Sequence, residues 1–183
     1  WALAELGAVS SVMRRAYESY EFHKAFHALN EFCAVTMSAM YLDIIKDRLY
    51  TSPPRSDERR SVQTALHRIA DALCRLMAPI LAFTAEEIWQ QLRALPGGAG
   101  QRAESVHVEL FPASGAEAAG GGREAELLER WRRLFGIRAD VQKAIEEKRK
   151  SKEIGSSLAA RLVVRAPSEL RAFVKAYLEG RID

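Results

Sequence analysis

His23 and His27 stand four residues apart in "HKAFH", a spacing at which two imidazoles on one helix face could share a divalent metal ion. A zinc hydrolase of that pattern carries its glutamate base at the second position, where this sequence has Lys24. The pair therefore reads as ordinary helix histidines, and the isolated His67 and His107 complete no ligand set. "KRKSK" (Lys148 to Lys152) is dense enough in cations to grip a nucleotide phosphate, yet it closes a charged helix and a solvated helix end explains it. No phosphate-cradling glycine motif, Ser-His-Asp set or carboxylate pair stands out, and no catalytic centre is expected within the chain.

The more informative chemistry is basic. "MYLDIIKDRLYTSPPRS" (Met40 to Ser56) is apolar for two turns and then ends in Lys46, Asp47, Arg48 and Tyr50, followed by a proline pair and Arg55. With Arg59 and Arg60 these cations cluster around one helix–loop–helix corner. Lys and Arg neutralise phosphates, and an aromatic ring such as Tyr50 can stack on an unstacked base of an RNA loop. Residues 44–75 hold seven Arg/Lys against four Asp/Glu, and residues 138–152 hold six against three. Two local basic zones on a chain of net charge +3 suit an acidic partner, although composition alone favours a solvated surface.

Helices must position these groups. Trp1, Leu3, Leu6, Val9, Met13, Tyr17 and Tyr20 recur at helical steps and are expected on the buried side of a first helix. Phe22, Phe26, Leu29, Cys33, Met37, Met40, Tyr41, Ile44 and Ile45 do the same for a second. "TSPPRSD" (Thr51 to Asp57) breaks it, with Ser56 or Asp57 able to cap a third helix carrying Val62, Leu66, Ile69, Leu73 and Leu76. Pro79 bends or ends that helix. Thr84 and Glu87 form a capping box that predicts a fourth helix, running to "PGGAG" (Pro96 to Gly100).

Beyond it "SVHVEL" alternates like a short strand, and "ASGAEAAGGG" (Ala113 to Gly122) reads as a flexible link. A long fifth helix carries Leu127, Trp131, Leu134, Phe135, Ile137, Val141 and Ile145 and stops near Gly155. "AARLVVRA" (Ala159 to Ala166) is a strand candidate and "PSELRAFVKAYL" (Pro167 to Leu178) a helix. The expected organisation is a helical bundle over 1–112, a linker over 113–122, a long helix packing on the bundle over 123–155, and the start of a small α/β unit over 156–183.

The 183 residues, 48% hydrophobic and 28% charged, fit an ordinary globular chain. The longest apolar run, "LMAPILAF" (Leu76 to Phe83), is too short to span a bilayer. Cys33 and Cys74 lie inside apolar helical patterns and are expected to be buried free thiols of a reducing compartment. The start "WALAEL", without Met and already helical in pattern, reads as part of something longer, with no signal peptide.

"YLDIIKDRLY" (Tyr41 to Tyr50), "RRSVQTALHRIADALCRLMAPILAFTAEEIW" (Arg59 to Trp89) and "ESVHVELFP" (Glu104 to Pro112), in that order, resemble the anticodon-binding helical domain of class Ia aminoacyl-tRNA synthetases. "APILAFTAEEIW" (Ala78 to Trp89) is similar across the isoleucine, valine and leucine members. The helix end at Tyr50 and "KEIGSSLAA" (Lys152 to Ala160) resemble the bacterial-type isoleucyl-tRNA synthetases, with Met40 standing where that helix often has an aromatic. The resemblance runs from Trp1 to about Arg165.

It implies a mainly α fold, a class Ia anticodon-binding helical bundle followed by the start of a small α/β unit. It also implies a parent ligase that uses ATP, with magnesium, to join isoleucine to its tRNA in the cytoplasm. The "HIGH" and "KMSKS" signatures, the editing domain and a C-terminal cysteine-rich zinc module do not occur in this sequence, so no cofactor is expected in this fragment. By the resemblance, any zinc would belong to that C-terminal module of the parent. The implied partners are the anticodon stem-loop of an isoleucine tRNA and the remaining domains of the same synthetase, with no membrane and a monomeric state expected.

By resemblance Lys46, Asp47 and Arg48 are the leading RNA contacts, with Asp47 more readily read as fixing Arg48 than as meeting a base. Tyr50, Arg55, Arg59, Arg60 and Gln63 follow as candidates for stacking, phosphate and sugar contacts. Lys143, Lys148, Arg149, Lys150 and Lys152 could line the stem backbone, while Trp89, Glu86 and Glu87 read as structural. The same domain of a valine or leucine enzyme, and a helical docking bundle without RNA binding, are the alternatives.

Overall fold

Helix α1 (Ala2–Glu18) turns a line of small and apolar side chains inward: Ala2, Ala4, Leu6, Ser10, Met13 and Ala16 are buried. The one buried polar group among them is satisfied locally, since Ser10 Oγ donates to the Leu6 carbonyl at 2.7 Å. Alanines on that line let α1 approach its neighbours closely, and the buried face is rotated from the expected one: Leu3 is exposed. Tyr20 is also exposed, because the helix has already ended at Ser19 and Tyr20 takes a left-handed φ of 58°. The structure, a computed structural model, describes residues 1–96, 100, 102–112, 122–156 and 160–178.

The second expected helix is not one α-helix. Helix α2 (Phe22–Glu31) passes into a π-helical segment (Phe32–Tyr41), a short turn α3 (Leu42–Ile44) and then α4 (Lys46–Tyr50). A π turn closes i→i+5 hydrogen bonds and takes up more residues than an α turn, so the inward face moves. On α2 the inward line Ala25, Leu29 and Phe32 keeps α spacing but is offset from the expected one, so Phe22, Phe26 and Cys33 are exposed; beyond Phe32 the π turns leave Met37 and Ile45 buried and Ile44 exposed. Of the two free thiols only that of Cys74 is buried.

Helix α5 (Asp57–Met77) starts where the cap was expected: Ser56 Oγ accepts from the Arg59 amide at 3.3 Å. Its inward residues include Val62, Ile69, Ala72, Cys74 and Leu76, and a tight turn containing Pro79 ends it. Helix α6 (Ala82–Ala94) begins before Thr84, so Thr84 and Glu87 lie inside the helix and the capping box does not form. Helix α1 packs on α2 and α5, and α5 on α6, enclosing Met13, Phe32, Leu76 and Trp89 in one core.

"SVHVEL" is a 3-10 turn at Val106–Val108 rather than a strand. Its amides are already engaged: Val106 N–H donates to the Glu86 carboxylate at 3.0 Å and His107 N–H to Ser105 Oγ at 3.2 Å, leaving no ladder to form. Residues 113–121 of the expected link, 97–99 of "PGGAG" and 157–159 of "KEIGSSLAA" lie outside the described residues.

Helix α7 (Gly122–Lys150) is the expected long helix, and α8 (Ser168–Leu178) follows Pro167. The chain forms two compact units, Trp1–Trp131 and Arg132–Asp183, with the division inside α7. In the second unit Ala160–Ala166 has no regular structure, and Leu162, Val163 and Val164 are exposed. The strand expected there is absent because no second strand pairs with it among the described residues, and a lone strand leaves its backbone groups to water. The described fold is thus mainly α.

Candidate nucleic-acid interface

Ile45, buried and at φ −86° and ψ −4°, separates α3 from α4, and Lys46, Asp47, Arg48 and Tyr50 on α4 are exposed. Lys46 pairs with Asp43 across 2.9 Å with both side chains exposed, and that hydrogen bond raises the Lys46 pKa. Asp47 uses its backbone carbonyl, which accepts from the Thr51 amide at 2.8 Å and from Thr51 Oγ1 at 2.6 Å. No ion pair joins Asp47 to Arg48 among the described residues, so the expected role of Asp47 in fixing Arg48 is not seen.

Arg48 is exposed, without an ion-pair partner among the described residues, and Tyr50 is 76% exposed. Helix α4 packs on the start of α5. The intervening turn is tied by Ser56 N–H to the Pro53 carbonyl at 3.0 Å and by Arg59 Nη1 to the Ser52 carbonyl at 3.4 Å. Arg59 is therefore a half-buried brace, its Nε enclosed without an acceptor among the described residues. Arg55, Arg60 and Gln63 are exposed around the same corner. The result is a surface on which the Arg48, Arg55 and Arg60 guanidinium groups have no ion pair among the described residues and lie beside the exposed Tyr50 ring, suited to phosphate contact and base stacking.

The second basic zone lies in the second unit and is more neutralised. Lys148 pairs with Glu153 at 2.7 Å and Arg149 with Glu146 at 2.6 Å, while Lys143, Lys150 and Lys152 are exposed. Lys152 takes φ 61° at the close of α7. Glu146, Arg149, Lys150 and Lys152 border a shallow depression of mixed charge.

Two members of the "AEEIW" motif hold a loop. Trp89 is fully buried and donates from Nε1 to the Ala103 carbonyl at 3.1 Å, and Glu86 accepts from Ser105 Oγ at 2.8 Å and from Gln90. Those bonds lower the Glu86 pKa, Gln90 contributing most. Glu87 is exposed. Sequence reading missed Arg102, which lies over the Trp89 ring at 5.6 Å and pairs with Asp71 at 3.1 Å; only distant contacts mark it.

His23 and His27 are both exposed, and no group of three or more His, Cys, Asp or Glu is gathered for a metal ion among the described residues. Among the same residues no helix is long and apolar enough to cross a membrane.

The fold is a mainly helical bundle with a basic, aromatic-bearing corner, and residues 1–164 match the family described as the anticodon-binding domain of tRNA ligase; the chain belongs to that family. It is 48% identical over 168 residues to an isoleucine-tRNA ligase of Syntrophotalea carbinolica, covering 92% of this chain and 17% of that protein. Similar proteins of the same name come from Caldanaerobacter subterraneus subsp. tengcongensis, 41% identical over 97% of this chain, and Geobacter sulfurreducens, 43% identical over 97%. The chain spans only 17–18% of the length of these relatives.

Proposed function

We propose that the chain is the anticodon stem-loop-binding part of an isoleucine-tRNA ligase, and that the α4–α5 corner meets the RNA. The observation that carries this is the pairing of exposed Arg48, without a counter-ion among the described residues, with exposed Tyr50 on the helix that resemblance singled out. Lys46, Arg48, Arg55 and Arg60 contact phosphate or sugar, Tyr50 offers a stacking face, and Asp47 and Gln63 face the RNA as polar groups. Arg59 acts one step back by holding the turn. The parent enzyme joins isoleucine to its tRNA at the expense of ATP. ATP and magnesium, and zinc where the parent has it, would act in the parent's other domains.

The partners are the isoleucine tRNA and the rest of the ligase, whose packing would cover exposed side chains such as Phe83 and Leu110. The exposed free thiol of Cys33 suits a reducing, cytoplasmic location.

Titrating the chain with the isoleucine anticodon stem-loop, and with the same hairpin carrying an altered anticodon, tests the reading. Tighter binding of the first is expected. Lys46→Ala and Arg48→Ala should each lower the salt-dependence slope by about one unit if the side chain meets a phosphate. Equal affinity for both hairpins would count against anticodon reading, and no binding even at low salt would leave only a docking bundle.

A further inference from the structure

The π-helical run between the core and the basic corner has no role in the reading above. π turns usually occur singly inside α-helices and often at functional positions, whereas this run extends from Phe32 to Tyr41. Its effect is geometric. In an unbroken α-helix, at about 100° per residue, Ile45 would lie about 220° around the axis from Phe32, and Lys46 about 40° from it. Both Phe32 and Ile45 are nevertheless buried, at 1% and 3% exposure, and Lys46 is outside. The widened turns absorb surplus residues, and that surplus is what keeps Lys46 and Arg48 facing outward.

The run is held from one side. Phe32 and Met37 point inward and Tyr41 packs its ring 6.4 Å from that of Trp1. Cys33, Ala34, Val35, Ser38 and Ala39 are exposed on the outer side. A segment with one packed face and one free face can take up or release a residue without repacking the whole core, and helix register shifts of this kind occur on microsecond to millisecond timescales.

We propose that the π run is an adjustable joint for the RNA-facing corner: it stores residues whose uptake or release turns Lys46–Tyr50 about the helix axis. How the corner meets its RNA is then set upstream of the side chains that touch it. This rests on the RNA role of the corner, and two measurements keep the two ideas apart.

The first needs no RNA. Deleting Ala34, inside the run, should be absorbed by converting a π turn to an α turn, so the chain keeps a cooperative thermal melt. Deleting Asn30, also exposed but on α2 before Phe32, has no slack to draw on and should lower the melting midpoint much further. Equal losses for the two deletions would overturn the joint.

The second is hydrogen exchange of the full chain with and without the isoleucine anticodon stem-loop. Amides of residues 36–42 should exchange faster than those of α1 and α5 in the free chain, and slow by about fivefold or more when RNA binds at the corner. RNA binding that slows only residues 46–60 would overturn the joint and leave the corner's function standing. Absence of RNA binding would sink the function, and the deletion pair would still decide whether the run stores a residue.

Discussion

Tyr17 donates its hydroxyl to the Leu76 carbonyl at 2.7 Å, joining α1 to the last turn of α5. Burial pushes its pKa from 10.0 up to about 12. With the folded value above the unfolded one, the stability the buried neutral phenol contributes is complete below pH 10.0 and is lost as pH rises towards about 12. Tyr17→Phe should cost about 0.5–1.5 kcal/mol in urea melts at neutral pH. It should also flatten the alkaline fall in stability, and an unchanged alkaline limb would assign that fall to another group.

Glu86 gives the opposite limb. Its pKa lies below the usual carboxylate range because Gln90, Ser105 and the Val106 amide hydrogen-bond to the charged form. The stabilisation is therefore present above the unfolded carboxylate pKa and lost as pH falls through the folded one. Glu86→Gln should destabilise the chain at neutral pH and remove part of its acid sensitivity, read from melting midpoints between neutral and acidic buffers. Parallel pH curves for parent and variant would contradict this.

Tyr20 closes α1 in a conformation that glycine adopts freely. The Glu21 amide reaches back to the Ala16 carbonyl at 2.8 Å and the Tyr20 amide to Tyr17 at 3.1 Å, a Schellman cap with a tyrosine at its left-handed position. Tyr20→Gly removes the Cβ clash at the cost of a looser unfolded chain and an edge contact with Phe22. The expected outcome is a gain of about 0.5–1 kcal/mol, measured by chemical denaturation. A loss would mean that the Tyr20–Phe22 contact outweighs the strain.

Asp43 neutralises Lys46 at the corner proposed to meet RNA. Asp43→Asn removes this exposed pair, which itself contributes only about 0.2–1 kcal/mol. It should tighten stem-loop binding and steepen its salt dependence by freeing Lys46 and removing a repelling charge. Weaker binding would show that the pair orients Lys46 rather than masking it.

Local rules worked where local physics decides. Ser56 caps α5, Pro79 ends it, and the basic corner forms at the break the prolines required, because caps and proline geometry act within a few residues. They failed at Thr84, where α6 had already started at Ala82, and at Val106–Val108, where Glu86 of a preceding helix takes the amide a strand partner would need. The candidate RNA residues were legible as a cluster; that Arg59 braces the turn while Arg48 has no ion-pair partner among the described residues was not.

By itself the sequence determined a mainly helical chain, its principal breaks, and the motifs that place residues 1–164 among anticodon-binding domains. Only the tertiary structure decided which way each helix faces. The expected inward line ran through Phe22, Phe26 and Cys33, but the packed one on α2 runs through Ala25, Leu29 and Phe32, and beyond it the π turns bring Met37 and Ile45 into the core. Periodicity presumes a fixed number of residues per turn, and where distant side chains change that number, the outward face of everything downstream, Lys46 and Arg48 included, changes with it.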